Sequence, residues 1–246
     1  MMTPTLLYQQ MKKWVATDES RPVFQHIYFD GNRALATDAH RMAIVKNYPV
    51  QEPHWETPAG VRPPDTEDWT APNFDRVIPK KEACEWVMEM ELPIGAVKGI
   101  LLHWKNSVEY MKKTAKDHEY IASVLQKIGN RLCIYAVNRY IRAKAILMDK
   151  LPDSEQDAGW MAGYNTSYLL DCVDFVKATD PRELSIYVGN RDTLVMETED
   201  ILLVVVPIRM NPKKNTETQR LLDFVRDETP SVAEQEAEEE TPDFLK

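Results

Sequence analysis

The chain has 246 residues, 43% of them apolar and 28% charged, with a formal net charge of −9, the composition of a globular protein able to bury a sizeable core. No apolar run is long enough to span a bilayer, and the first twenty residues hold no signal-peptide core. Cys84, Cys133 and Cys172 are far apart and form no Cys-x-x-Cys pair, which argues against a disulfide framework or a cysteine zinc site and for a reducing, cytoplasmic setting.

Residues 5–17, TLLYQQMKKWVAT, predict a helix with Leu6, Leu7, Met11, Trp14 and Val15 facing inward. VFQHIYFDGNRALATDAHRMAIV (23–45) predicts strand, Asp-Gly-Asn turn, strand, polar corner and strand. Residues 49–75 are proline-rich and contain Trp55 and Trp69, as expected of an extended connector. RVIPKKEACEWVMEM (76–90) predicts a strand ending at Pro79 and a helix from about Lys80. The longest helical pattern runs from about 95 to 128, with Leu101, Trp104, Val108, Met111 and Ala115 on one stripe.

RLCIYAV (131–137) and YIRAKAILM (140–148) predict two strands. NTSYLLDCVDFVKATD (165–180) predicts a helix capped by Asn165 or Thr166. Three more strands follow in 183–210, with turns at Gly189-Asn190 and Glu199-Asp200. Helix-then-three-strands thus occurs at 5–46 and 164–210, with a looser copy between. An α+β fold with helices on one sheet face is expected.

Charge is unevenly spread. Residues 98–146 hold ten Lys/Arg against three Asp/Glu, whereas 213–246 hold five against ten. Lys98, Lys105, Lys112 and Lys116 fall within roughly 40° of one another around a helix. Residues 213–246 read as an acidic, disordered tail.

The chemistry-bearing cluster is Asp38-Ala39-His40-Arg41. Asp38 and His40 are a possible metal or acid–base pair, but no other histidine lies at i+4, and the sequence holds no phosphate loop, GxSxG or HExxH. On residues alone the cluster reads as a strand corner in which Asp38 accepts backbone hydrogen bonds.

Three stretches, ALATDAHRMAIV (34–45), PNFDRVIPK (72–80) and YNTSYLLDCV (164–173) followed by LLVVVPIRM (202–210), resemble in order the matching segments of the bacterial DNA polymerase sliding clamp, the beta-subunit family. The resemblance implies a DNA-clamp fold of repeated helix-plus-strand units. It implies a processivity factor without catalytic residues, cofactor or metal, encircling duplex DNA without sequence preference. It further implies a pocket for linear motifs of a polymerase or clamp loader, formed by Thr37, Ala39, His40, Arg41, Met42, Pro79, Val204, Val206, Pro207, Ile208, Arg209 and Met210. The lysine stripe would face DNA, attracting phosphates without reading bases.

Departures from the family accompany the likeness. Family subunits have three domains and pair into rings; this chain has room for two, at 1–78 and 79–212, so a homo-oligomer, a trimer, is expected. Ala39 stands where the family has glycine, and Ala resists positive φ, so a reshaped corner is expected. Gln219, Leu222 and Phe224 in the tail match a Gln-x-x-Leu-x-Phe clamp-binding peptide, or form one turn of amphipathic helix. The alternative function is a clamp-derived module that binds or sequesters clamp partners without forming a ring.

Overall fold

Three times the chain runs through a helix and then three antiparallel strands. The first set is α1 (Pro4–Met11), β1 (Ile27–Asp30), β2 (Arg33–Thr37) and β3 (Arg41–Val45). The second is α2 (Ala96–Thr114), β6 (Ala122–Ile128), β7 (Arg131–Val137) and β8 (Arg142–Asp149). The third is α3 (Thr166–Thr179), β10 (Glu183–Gly189), β11 (Thr193–Glu197) and β12 (Ile201–Val205). Completing the chain are β4 (His54–Glu56), β5 (Trp86–Glu91), β9 (Met161–Asn165) and α4 (Thr216–Asp227). The computed structural model describes residues 2–64, 66, 68–84, 86–91, 96–114, 122–129, 131–137, 141–149, 160–211 and 216–228.

The strands form an eight-stranded sheet, β4-β1-β2-β3-β12-β11-β10-β5, and a four-stranded one, β8-β7-β6-β9. Each four-strand half has the same plan: an added strand, then the first, second and third of a set. The second and third sets exchange their added strands, because β5 precedes α2 but pairs with β10, and β9 precedes α3 but pairs with β6. The first set takes β4 from the connector that follows it. Tyr8 of α1 hydrogen-bonds Glu56 of β4, and Gly60, at φ 76°, brings the loop beyond β4 against the Tyr8 ring. The expected boundary at 78/79 lies in the connector, and the eight-stranded sheet runs across it.

Strand alternation sorts the side chains. Ala34, Ala36, Ala43, Val45, Ile201, Leu203 and Val205 face the helix layer, where they meet Leu7 and Met11 of α1, Trp14 in the turn after it, and Trp104, Val108 and Met111 of α2. Burying each large apolar side chain contributes about 1.5–3 kcal/mol. On the other face, Leu35, Met42, Ile44, Leu202 and Val204 lie beneath Phe74 and Ile78 of the connector. Arg33 fastens that cover by bonding both Asp30 and Asp75.

Three expectations are corrected. The helix from Lys80 is a 3-10 turn (Lys81–Ala83) followed by strand β5, because pairing with β10 outweighs the local pattern. The helix expected over 95–128 ends at Thr114, and 122–128 form β6 between β7 and β9. The tail expected to be disordered contains α4, whose Leu221, Phe224 and Val225 are buried against Val124, Cys133, Tyr135 and Val137. Asp227 and Glu228 there pair with Arg142 and Lys144 of β8 at 3.5 and 3.1 Å. Residues 229–246 lie outside the described residues.

Arg41 ties the first set to the third. Its Nε donates to Asp38 at 2.9 Å, its Nη1 to Asp171 of α3 at 2.6 Å, and its Nη2 to the Lys13 carbonyl at 2.5 Å. The guanidinium also lies over the rings of Tyr168 and Trp14, at 4.1 and 5.1 Å. The side chain is 9% exposed. Removing it strands two carboxylates, so Arg41→Ala should cost about 3 kcal/mol in urea denaturation. Arg41→Lys should recover less than half of that, because one ammonium cannot replace a planar fork with three partners.

Next to it, Lys105 of α2 meets Asp174 of α3 at 2.8 Å, and Lys13 meets Asp171 and Asp174 at 3.4 Å. Burial opposes the charge on Asp174, but the Lys105 hydrogen bond and the Lys13 charge outweigh it and hold the carboxyl below its ordinary range. Such a group stabilises the fold above its unfolded pKa, and the contribution is lost as pH falls through the lower folded value. As pH falls from about 5 to about 2 the wild-type melting temperature should therefore fall more steeply than that of Asp174→Asn.

Candidate functional site

The corner between β2 and β3 is built from its own side chains. Asp38 Oδ1 accepts the N–H groups of His40 and Arg41 at 2.9 and 3.0 Å. Thr37 Oγ1 donates to the Arg41 carbonyl at 2.7 Å and accepts from Ala39 N at 3.1 Å. With its other oxygen on Arg41, the Asp38 carboxylate is committed to the turn. Among the described residues, no group of three or more His, Cys, Asp or Glu is placed to hold a metal. Ala39 has φ 72°: the hydrogen bonds hold the left-handed corner despite its Cβ.

Beyond β12 the chain crosses between the sheets. Val206 N donates to the His40 carbonyl at 3.0 Å, and Ile208 N donates to the Gly163 carbonyl of β9 at 2.9 Å. Residues 206–210 therefore floor two adjoining cavities. The smaller, about 140 Å³, is lined by Thr37, Ala39, His40, Arg41, Met42, Val204 and Val206, together with Phe24, Pro72, Phe74 and Val77. The larger is an open trough of about 1050 Å³ lined by Pro79, Val206, Pro207, Ile208, Arg209 and Met210, with Arg76, Val77, Lys80, Met161, Gly163, Arg191 and Asp192. All twelve pocket residues expected from the sequence lie around these two spaces. Within this set, Arg41 lines the smaller cavity while its guanidinium turns inward to α3.

Two glycines let the walls close up. A Cβ on Gly163 would lie 2.7 Å from the Met210 sulfur, and one on Gly189 would lie 2.1 Å from Pro79 Cβ. Pro79 thus rests on the β10 backbone. Arg191 and Asp192 in the β10–β11 turn have φ of 66° and 59°, a conformation that costs non-glycine residues about 1–3 kcal/mol each.

The lysine stripe is divided. Lys105 is half-buried and paired with Asp174, Lys112 is half-buried beside exposed Lys113, Lys98 lies in α2, and Lys116 lies outside the described residues. The exposed face of α2 is centred on Leu102, Asn106, Tyr110 and Lys113. In the tail, Phe224 packs edge-on against Tyr135 with centroids 5.7 Å apart, Leu222 is half-buried, and Gln219 bonds Asp223 within α4. That is the amphipathic-helix alternative, on the four-stranded sheet and not in the cavities.

Because a glycine relieves the left-handed corner, Ala39→Gly should stabilise the chain by about 1 kcal/mol in equilibrium denaturation. The variant should leave the m-value unchanged.

No protein-family model and no curated protein matches the chain. Solved structures do. The DNA polymerase III beta chain of Streptococcus pneumoniae TIGR4 aligns with TM-score 0.63 at 13% identity, over 83% of this chain and 62% of that one. The DNA polymerase sliding clamp of Bacillus subtilis aligns with TM-score 0.63 at 15% identity, over 84% and 62%. The Pseudomonas aeruginosa sliding clamp bound to griselimycin aligns with TM-score 0.61 at 17% identity, over 83% and 63%. The chain spans a little under two thirds of the length of these relatives. At these identities the likeness is one of fold, and the fold is that of the DNA sliding clamps.

Proposed function

We propose that the chain is a sliding-clamp-like processivity factor that grips linear motifs of replication proteins in the two cavities and holds them on duplex DNA. The observation that carries this is the cavity pair itself. On a clamp fold, the 37–42 corner, the connector and the closing segment 204–210 come together around an apolar trough with a narrow, deeper end. That shape suits a short peptide with two apolar anchors. The helix layer is the DNA side, with Lys12, Lys112 and Lys113 supplying attraction to phosphates. No bond chemistry is required.

Self-association has a candidate surface. Among the described residues β8 ends its sheet, and Leu102, Tyr110, Ile141 and Ile146 around it are 40–53% exposed. Its counterpart in the third set, β12, continues the sheet by pairing with β3. By the same geometry the open edge of β8 suits a strand from another copy, and a closed trimer is the ring we propose.

The test is fluorescence anisotropy with a labelled Gln-Arg-Leu-Leu-Asp-Phe peptide, alongside light scattering. The peptide should bind, and Val77→Glu or Val206→Glu, which place a charge in the shared wall of the cavities, should weaken it at least about tenfold. Equal binding by both variants would overturn the peptide site. The mass should be three times that of one chain. A monomer at every concentration that still binds peptide would replace the ring with the non-ring module.

A further inference from the structure

The trough carries more positive charge than a grip on apolar anchors needs. Arg76, Lys80, Arg191 and Arg209 stand exposed around it, and none has an acidic partner among the described residues. The single acid in its wall, Asp192, already accepts the Trp160 indole N–H at 3.0 Å. Between these cations lie Val77 and Met161, 54% and 47% exposed. Four free cations around exposed apolar side chains call for a ligand that is both acidic and apolar. The strained backbone at Arg191 and Asp192 sits at the same rim, which is where structures hold such conformations for binding.

One segment of this chain has that composition. Residues 234–245 carry Glu234, Glu236, Glu238, Glu239, Glu240 and Asp243, and then Phe244-Leu245. The segment is tethered nearby: α4 anchors it through Phe224, and Met210, which lines the trough, packs against the same cluster as Phe224. Sixteen residues from Glu228 to Phe244 reach up to roughly 50 Å.

We propose that residues 234–245 occupy the larger cavity, acids against the cationic rim and Phe244-Leu245 on the apolar floor, so that a partner peptide must displace them. This rests on the cavities being a peptide seat, as proposed above. A segment on the same chain as its seat is present at an effective concentration far above that of a free peptide, enough for a weak segment to compete.

The experiment uses the full chain and the labelled Gln-Arg-Leu-Leu-Asp-Phe probe. The double variant Phe244→Ser/Leu245→Ser, outside every described element, should bind the probe roughly tenfold more tightly than wild type. A synthetic peptide of residues 231–246, added to that variant, should displace the probe, less effectively at higher salt and after Arg191→Glu/Arg209→Glu. Equal probe affinity in wild type and the tail variant overturns the tail contact and leaves the peptide seat standing. Failure of the probe to bind either protein overturns the seat and the tail contact with it.

Discussion

Everything at the candidate site depends on the pairing of β3 with β12. Five residue pairs join them, from Ile201 with Val45 to Val205 with Arg41. The last pair lies where the 37–40 corner enters β3 and the 206–210 segment leaves β12. Register alone therefore makes the corner and the closing segment neighbours. A slip of one residue would turn Met42 and Val204 off the connector face and carry Arg41 away from α3. Arg41 locks the register from the helix side, since its three bonds and two ring contacts exist in one alignment only. It builds the site by fixing the joint beneath it, and this accounts for its inward turn.

Irregular segments finish what the repeated sets leave open. The connector supplies the added strand of the first set, covers the outer face of the eight-stranded sheet with Phe74 and Ile78, and walls both cavities with residues 72–80. Beyond β4 its prolines suit a segment that packs on a sheet face without joining the ladder. Helix α4 does the same for the four-stranded sheet, burying Cys133, Tyr135 and Val137. Both covers are pinned at their edges by ion pairs, Arg33 with Asp75 and Lys144 with Glu228.

What the sequence revealed and what it hid follow from how local each signal is. The strand–corner–strand unit was legible because its turn is made by Thr37 and Asp38 themselves, and the α3 start because Asn165 caps it in place. β5 was not, since it is a strand by virtue of a partner far along the chain, β10; β6 was not either, although it forms a hairpin with the neighbouring β7, because the helical period of α2 reads on through it. In α4 the surrounding acids masked three apolar residues at helical spacing. At the cavities, residues in the corner and closing segment carried a motif. Met161, Gly163 and Arg191 carried none, because strand exchange brings them to the connector from two separate stretches, β9 and the β10–β11 turn.

The distribution of charge then separates the surfaces by role. A charge with an opposite partner 3–4 Å away acts at longer range as a dipole, and its field falls off faster than that of an isolated charge. Part of the positive excess over residues 98–146 that the structure describes is compensated in this way: Lys105 by Asp174 in the helix layer, Arg142 and Lys144 by Asp227 and Glu228 under α4. The helix layer is left with a mild positive field, which is what the proposed DNA side calls for. The trough is the opposite case, with four cations and its one acid engaged by Trp160. In a chain of net charge −9, the proposed tail contact sets acidic residues of the chain against this cationic rim. On that proposal, occupancy of the site is a competition between tethered and free peptides, decided by apolar anchoring once both have met the same charges.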